Sequence, residues 1–197
     1  LSADEYREIM KYVEVLYNIP DIDETGRRKG TELALTYIDI HTVWLPDWLA
    51  EYKDNRGHSR KDLRDWMALR SEKKDFKNLM ANALPARFWV EWLTQDGKRK
   101  YEIDTACLYN FLALNGFHAL KDDNSDNPEY IYIDGNVVKK IKVGEIRQFV
   151  IKWVIDHHKG RDILNLVLNS PRLSGAALES LGEVTLDFTD FTSQSQL

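Results

Sequence analysis

Cysteine is almost missing from this chain of 197 residues, in which Cys107 is the only one. A single cysteine excludes an internal disulfide framework and a thiolate zinc site, so any bound metal is expected to have oxygen ligands. No apolar stretch approaches the roughly 20 residues of a membrane-spanning helix. The first residues also lack the basic and then apolar pattern of a signal peptide. We therefore expect a cytoplasmic protein with no membrane partner.

An excess of basic residues is missing too. The chain has 27 Lys and Arg against 32 Asp and Glu, a formal net charge of -5. This balance argues against a protein that holds nucleic acid by its overall charge, so a polyanion would have to bind at a local basic patch. No glycine-rich loop ending in Gly-Lys-Ser/Thr occurs, which excludes ATP binding through a Walker motif and a helicase motor within these residues.

The first half of the chain has the pattern of a β-turn-α-β unit. A helix is predicted over Ser2–Glu14, followed by a strand over Val13–Ile19 that Pro20 stops. A second helix over Gly26–Ile38 leads to a strand over Ile40–Leu45. Further helical stretches are predicted at Leu63–Leu69 and Phe76–Ala83. We expect residues 1–87 to form an α/β domain whose parallel strands are covered by helices.

The second half has a different pattern, which predicts an α+β domain over residues 88–197. Two hairpins are expected, with a helix capped by Asp104 or Thr105 between them and an amphipathic helix that ends near His157 after them. The hairpin strands are Phe88–Leu93 with Lys100–Ile103, and Tyr130–Ile133 with Val137–Lys142. The acidic stretch Asp122–Glu129 is predicted as a solvated loop, and the residues from Thr189 onward as a polar tail.

The most informative segment is the acidic turn, which we define as residues 18–26, Asn-Ile-Pro-Asp-Ile-Asp-Glu-Thr-Gly. Residues two apart at a strand end point the same way, so Asp21 and Asp23 can converge on one hard cation while Ile22 faces the core. The carboxyl end of a parallel strand, next to the start of a helix, is where α/β sheets usually place their sites. The sequence therefore predicts a magnesium site there.

Two other interpretations of the acidic turn stay open. The turn also satisfies a calcium-loop pattern with ligands at Asp21, Asp23, Thr25 and Glu32 and a glycine at Gly26. Calcium is disfavoured because that loop needs an incoming helix, whereas a β-rich segment and Pro20 precede this one. The simplest alternative is that the acids only cap a helix N-terminus, where Asp and Glu are common.

The acidic turn, the strand His41-Thr-Val-Trp-Leu-Pro46 and the segment Lys61-Asp-Leu-Arg-Asp65 together resemble the second half of a Toprim domain of bacterial-type DNA primases. The resemblance implies that Asp21 and Asp23 are the family's magnesium-binding acidic pair. It also matches Lys61, Asp62 and Asp65 to the lysine-and-acid segment near the end of that domain. The family's glutamate ligand lies on an earlier strand that is not found here, so magnesium is expected to bind this fragment weakly or not at all.

A longer part of the chain resembles the primase-helicase polypeptides of phages and mobile elements of gut bacteria. The resemblance covers Leu16 through Trp89, together with Asn110–Phe117 and Glu145–Phe149. It implies DNA replication, with DNA, nucleotides and a helicase domain of the same polypeptide as partners. The second domain would precede that helicase, and the fragment alone is expected to be inactive. The alternative is a non-catalytic module that binds DNA or docks primase to helicase.

Clusters of basic residues are the candidate nucleic-acid contacts. Arg27, Arg28 and Lys29 follow the acidic turn, where they could contact a phosphate; a solvated helix face is an equal alternative. Lys98, Arg99 and Lys100 occupy one hairpin, and Lys139, Lys140 and Lys142 the other; two basic hairpins beside a short helix are similar to a winged module. The alternative, slightly favoured, is that these lysines protect strand edges from aggregation.

The aromatic and histidine residues are interpreted mainly as structural. Trp89 and Trp92 point to opposite faces of their strand, so one of them could be exposed for stacking against bases. His157 and His158 are adjacent on a helix and project in different directions, which argues against a metal pair. We expect His157 on the apolar face and His158 in solvent.

Overall fold

The structure is a computed structural model that describes residues 1–70, 72–120, 129–179 and 181–184. The chain divides into two compact units, Leu1–Arg87 and a second one that starts at Phe88. Both units combine helices with small sheets, so the architecture is mixed α/β. None of the described helices combines the length and the apolar composition that a membrane-spanning helix needs. The stretch predicted as an acidic loop, apart from Glu129, and the predicted polar tail lie outside these residues.

The first unit is organised around one parallel pair of strands. Strand β1 (Tyr17–Asn18) pairs in parallel with β2 (His41–Thr42), and helix α2 (Glu24–Thr36) connects them. The predicted order of strand, acidic turn, helix and parallel strand is therefore confirmed. The remaining elements of this unit are α1 (Ala3–Ile9), a 3-10 helix (Asp47–Glu51), α3 (Leu63–Leu69) and α4 (Lys73–Ala81).

The start of the first unit is less regular than predicted. Ser2 caps α1 in a capping box with Glu5, but the helix ends at Ile9 rather than Glu14. The strand predicted over Val13–Ile19 is reduced to two residues, and Val13 and Val15 are 39% and 40% exposed. The reason is that, among the described residues, no strand pairs with Val13 or Val15, whereas contact with β2 begins at Leu16, whose carbonyl accepts the His41 N–H at 2.9 Å. The strand predicted over Ile40–Leu45 is likewise shortened to two residues.

The core of the first unit lies beneath the acidic turn. Leu45, Leu49 and Trp66 are buried and form its centre. Partly buried apolar side chains pack around them, including Ile19, Ile22, Trp48, Leu63, Leu69, Phe76 and Leu79. Ile22 therefore faces the core, as its place between two aspartates predicts, and it anchors the turn by burial of its side chain.

The second unit contains a hairpin and a four-stranded sheet. The hairpin pairs β3 (Trp89–Leu93) with β4 (Arg99–Ile103) in antiparallel register. The sheet has the order β7-β6-β5-β8, with β5 and β8 parallel and the other pairs antiparallel. Its strands are β5 (Phe117–Leu120), β6 (Glu129–Asp134), β7 (Val137–Ile141) and β8 (Glu183–Val184). The helices are α5 (Thr105–Leu114), α6 (Val143–Asp156), α7 (Arg161–Leu168), a 3-10 helix (Pro171–Leu173) and α8 (Gly175–Leu178).

Aromatic side chains fill the core of the second unit. Phe111 is fully buried, with its ring centroid 4.9 Å from that of Phe88 and 4.8 Å from that of Trp153. Phe149 connects this group to Phe117 on the sheet, with ring centroids 4.7 Å apart. Such rings remove large apolar areas from water and dominate the energetics of a core of this size. They hold α5, α6 and the sheet together.

Both predicted hairpins and the two helices that follow them are confirmed, with Asp104 as the cap of α5. The sequence did not predict β5, α7, α8 or β8. Strand β5 is four residues long and begins directly after Gly116. This position requires glycine, because its φ is +84° and a Cβ there would lie 2.2 Å from the Ile133 carbonyl oxygen. A strand this short, set directly against a helix end, carries too little alternation to be recognised from pattern.

Candidate functional site

The acidic turn brings its two aspartates to one cation, and that cation is Lys61. The Lys61 Nζ donates a hydrogen bond to Asp23 Oδ2 at 2.7 Å and lies 3.2 Å from Asp21 Oδ2. The three side chains are between 40% and 50% exposed, so the cluster faces solvent. Residues two apart after a strand therefore do point together here, as predicted.

Asp23 uses its two carboxylate oxygens for different purposes. Oδ1 accepts the Gly26 backbone N–H at 2.8 Å and caps α2, while Oδ2 faces Lys61. The capping interpretation is therefore correct for Asp23, but it accounts for only half of the carboxylate. Asp21 makes no cap, so its orientation towards Lys61 is independent of helix capping.

Lys61 is held in place by its own backbone. Its carbonyl accepts the Ile22 N–H at 2.9 Å, between the two aspartates, and its N–H donates to Asp65 Oδ2 at 3.0 Å. Asp62 caps α3 through the Asp65 N–H at 2.7 Å. The segment that the sequence matched to a lysine-and-acid motif is thus docked against the acidic turn, 38 residues away in the chain.

The charges of this cluster stabilise one another. The hydrogen bond from Lys61, followed by that from the Gly26 N–H, lowers the pKa of Asp23 below its ordinary value of 3.8. The hydrogen bonds to Asp23 and then Asp21 raise the pKa of Lys61 above 10.5. An opposite charge within hydrogen-bonding distance favours the ionised form of each partner. At neutral pH Asp23 is therefore ionised and Lys61 is protonated, so the two form an ion pair.

Gly26 allows the turn to fold against the first turn of α2. A Cβ at this position would lie 2.4 Å from the Asp21 carbonyl oxygen and 2.7 Å from the Asp21 Cβ. Real side chains do not tolerate such distances, so only glycine fits. The glycine in the sequence Asp-Ile-Asp-Glu-Thr-Gly thereby controls where the Asp21 side chain points.

The donor set limits which metal the cluster can hold. Within the described ranges no group of three or more His, Cys, Asp or Glu side chains is positioned for metal binding. The two carboxylates that share Lys61 fit a hard divalent ion that keeps most of its water ligands, as Mg²⁺ does. A calcium loop is excluded by the backbone, because Thr25, Gly26 and Glu32 all lie inside α2.

The basic residues after the turn separate into two groups. Arg27 already has partners within the protein: its Nε donates to the Ile22 carbonyl at 2.9 Å, and its guanidinium pairs with Asp47. Its predicted role as a phosphate contact is therefore not supported by its partners. Arg28 and Lys29 are exposed and make no ion pair within the described part of the chain, so they stay candidates.

The second unit presents its two sets of basic residues differently. On β7, Lys139 pairs with Glu145 at 3.3 Å and Lys140 pairs with Glu129. β7 lies at the edge of the four-stranded sheet, which is the position that the edge-protection interpretation requires. At the other hairpin Lys98 lies 3.0 Å from Asp96, whereas Arg99 and Lys100 have no ion pair among the described residues.

The predictions for Trp89, Trp92 and His158 are confirmed, whereas His157, predicted on the apolar face, is an exposed residue that caps the end of α6. Trp89 is 7% exposed and Trp92 is 43% exposed, so one of the two indoles does face solvent. His157 stacks on Trp153 with a centroid distance of 4.3 Å, while His158 turns away with a φ of +49°. The sequence missed the contact of Lys61 with the acidic pair; its only signal was a lysine directly before a helix-capping aspartate.

Comparison with known proteins adds no relative: no protein-family model, curated protein or solved structure matches this chain. The resemblance to Toprim primases and to primase-helicase polypeptides therefore stays a prediction from the sequence motif and its place in the fold.

Proposed function

We propose that the chain is a fragment of a DNA-replication primase-helicase. In this proposal the first unit is the C-terminal part of a Toprim-like domain, and the second is the α+β domain that precedes the helicase. The observation that supports it most is the convergence of Asp21 and Asp23 on one cation, 3.2 and 2.7 Å from their oxygens, just after a strand of a parallel pair. Sites of α/β domains occur at this position.

In the intact protein Asp21 and Asp23 would hold magnesium, together with a ligand from outside this fragment. Bound there, the metal would neutralise nucleotide phosphates and orient the primer 3′ oxygen for nucleotidyl transfer. Arg28 and Lys29, exposed on the first turns of α2, would contact phosphate oxygens of the template or nucleotide. Lys61 has two roles in this proposal: its ammonium compensates one of the two negative charges when no metal is bound, and it supplies a cation for a phosphate beside the metal.

The proposal is tested by metal binding and by priming. In the full-length polypeptide, Asp21→Ala should abolish primer synthesis without unfolding the protein. In the present chain, Mn²⁺ titration followed by calorimetry should show weak binding that Asp21→Asn and Asp23→Asn remove. Glu14→Gln is the matched control, since Glu14 is an exposed acid ahead of the opposite end of β1.

Lys61→Met gives the sharpest version of this test. If the pair is a metal site, removing the competing ammonium should tighten Mn²⁺ binding, because two uncompensated carboxylates then face each other. Undiminished priming by the Asp21→Ala enzyme would contradict the assignment. It would also be contradicted if neither the parent chain nor Lys61→Met bound Mn²⁺.

A non-catalytic docking or DNA-binding module is the second candidate, and one observation favours it. Lys61 already satisfies the acidic pair, and the described residues offer no third acidic ligand. In that case the tryptophan fluorescence should not respond to magnesium, whereas binding to single-stranded DNA should weaken as salt rises.

A further inference from the structure

The β3–β4 hairpin carries an exposed aromatic ring and two cations that have no ion pair among the described residues. Trp92 is 43% exposed and lies directly across the two strands from Lys100, on the same face, whereas Arg99 lies opposite Leu93 on the other face. Arg99 and Lys100 are exposed, and neither makes an ion pair within the described ranges. The exposure of Trp92 contrasts with Trp66, Trp89 and Trp153, whose side chains are buried. Large aromatic side chains are usually buried to a high degree, so an exposed indole is a candidate binding surface.

The second hairpin of the same unit provides an internal comparison. Lys139 and Lys140 are also exposed strand lysines, but each is matched by an acid of the unit itself, Glu145 and Glu129. These two lysines lie on an edge strand, and acidic residues of the same unit already compensate their charge. Among the described residues, Arg99 and Lys100 of β4 have no such acidic partner, so they are available to an external anion.

A groove extends this surface along β4. It has a volume of about 620 Å³ and is lined by all five residues of β4 on one side and by α7 with the following 3-10 helix on the other. Side chains of a strand alternate between faces, so a groove that touches five consecutive residues runs along the free edge of the strand. Arg172 adds a third cation to it, and Glu102 and Asp162 are its acidic members.

We propose that the β3–β4 hairpin binds single-stranded nucleic acid, with a base stacked on Trp92, a phosphate at Lys100 on the same face, and a further phosphate at Arg99 in the groove along the edge of β4. Single-strand binding surfaces combine cations that follow the backbone with aromatic rings that stack on bases, and the bases of a duplex are not free for such stacking. The groove with Arg172 then continues the path of the strand. The inference rests on the proposed function for the choice of nucleic acid over another polyanion.

The test measures fluorescence anisotropy of a labelled oligo-dT of about 12 nucleotides. Arg99→Ala/Lys100→Ala should weaken binding about ten-fold and reduce the salt slope by about 1.4, the value for two lost phosphate contacts with a single strand. Lys139→Ala/Lys140→Ala removes the same charge from the other hairpin and should change affinity less than about two-fold, because those lysines are already paired.

Trp92 separates stacking from charge. Trp92→Ala should lose about ten-fold in affinity, Trp92→Phe should keep most of it, and oligo-dT should quench indole fluorescence in the parent chain but less in either variant. All these positions are exposed, so circular dichroism should show unchanged folding.

Three outcomes would overturn the inference: equal losses in the two double variants, no effect of Trp92→Ala, or competition by poly-glutamate as effective as that by oligo-dT, which would indicate an acidic peptide. Asp21→Asn should leave oligo-dT binding unchanged, so failure of the metal site and failure of this surface are distinguishable.

Discussion

The acidic turn of the first unit and the β3–β4 hairpin of the second treat charge in opposite ways. In the turn, the protein supplies its own counter-ion: Lys61 joins two carboxylates that would otherwise repel each other. On the hairpin, Arg99 and Lys100 stay without an ion-pair partner in the described part of the chain. An internal ion pair fixes the positions of its side chains before a ligand binds, whereas a charge without an internal partner favours association with an outside partner.

The largest expected effect is in the core that supports the hairpin. Phe111→Ala removes a fully buried ring, and we expect the free energy of unfolding to fall by about 3–5 kcal/mol. Hydrogen exchange followed by mass spectrometry should show faster exchange mainly in peptides from the second unit. Equally faster exchange around Lys61 would contradict this prediction, because the two regions would then depend on one core.

A smaller effect is expected from the glycine beneath the acidic turn. Gly26→Ala should destabilise the protein by about 1–3 kcal/mol, the range for an overpacked site, because its Cβ would meet the Asp21 backbone at 2.4 Å. The control is Gly144→Ala on α6, where a Cβ meets nothing within 4 Å. That change should stabilise by about 0.4–1 kcal/mol. Urea unfolding gives both values, and the same sign for the two variants would contradict this account of the turn.

Removing Lys61 should change the titration of the turn rather than its fold. In Lys61→Met the pKa of Asp23 should rise towards its ordinary value of 3.8, because its main hydrogen-bonding partner is gone. In the parent chain that pKa is lowered, so the contribution of Asp23 to stability is present above pH 3.8 and is lost as the pH falls through the folded-state pKa. Carboxyl-carbon NMR titration measures the shift. An unchanged Asp23 pKa would show that Lys61 does not stabilise the pair.

The smallest expected effect concerns His118 on β5. Burial lowers the pKa of His118 below 6.5, so its neutral form stabilises the fold above that pH, and the contribution is lost as the pH falls towards the folded-state pKa. His118→Gln should therefore flatten part of the decrease in stability between about pH 7.5 and about pH 5.5. His41 in the first unit, whose pKa burial also lowers, should keep its own titration. Thermal unfolding across this range, with NMR of the two imidazoles, provides the measurement.

Local patterns predicted most elements of both units, and the misses have physical causes. α3 begins and ends at Leu63 and Leu69 as expected, because a capping aspartate and apolar spacing agree there. The strand expected over Val13–Ile19 is shortened to Tyr17–Asn18, because strand propensity needs a neighbour to pair with and, among the described residues, the short strand β2 pairs with these two positions. α7 was missed because its signal is one short amphipathic stretch after Gly160.

The sequence predicted the convergence of the two acids of the candidate site, Asp21 and Asp23, but not their contact with Lys61. Two aspartates separated by one apolar residue after a strand determine that both carboxylates leave on the same side, since side chains in extended backbone alternate. That Lys61 would neutralise them, and that Arg27 would turn away to Asp47, depended on loops that meet from distant parts of the sequence. For the hairpins, the amino-acid pattern alone predicts which strand positions carry lysines. Which of these lysines meet an acid and which stay open follows from the folded arrangement, because ion pairing depends on distance in space rather than along the chain.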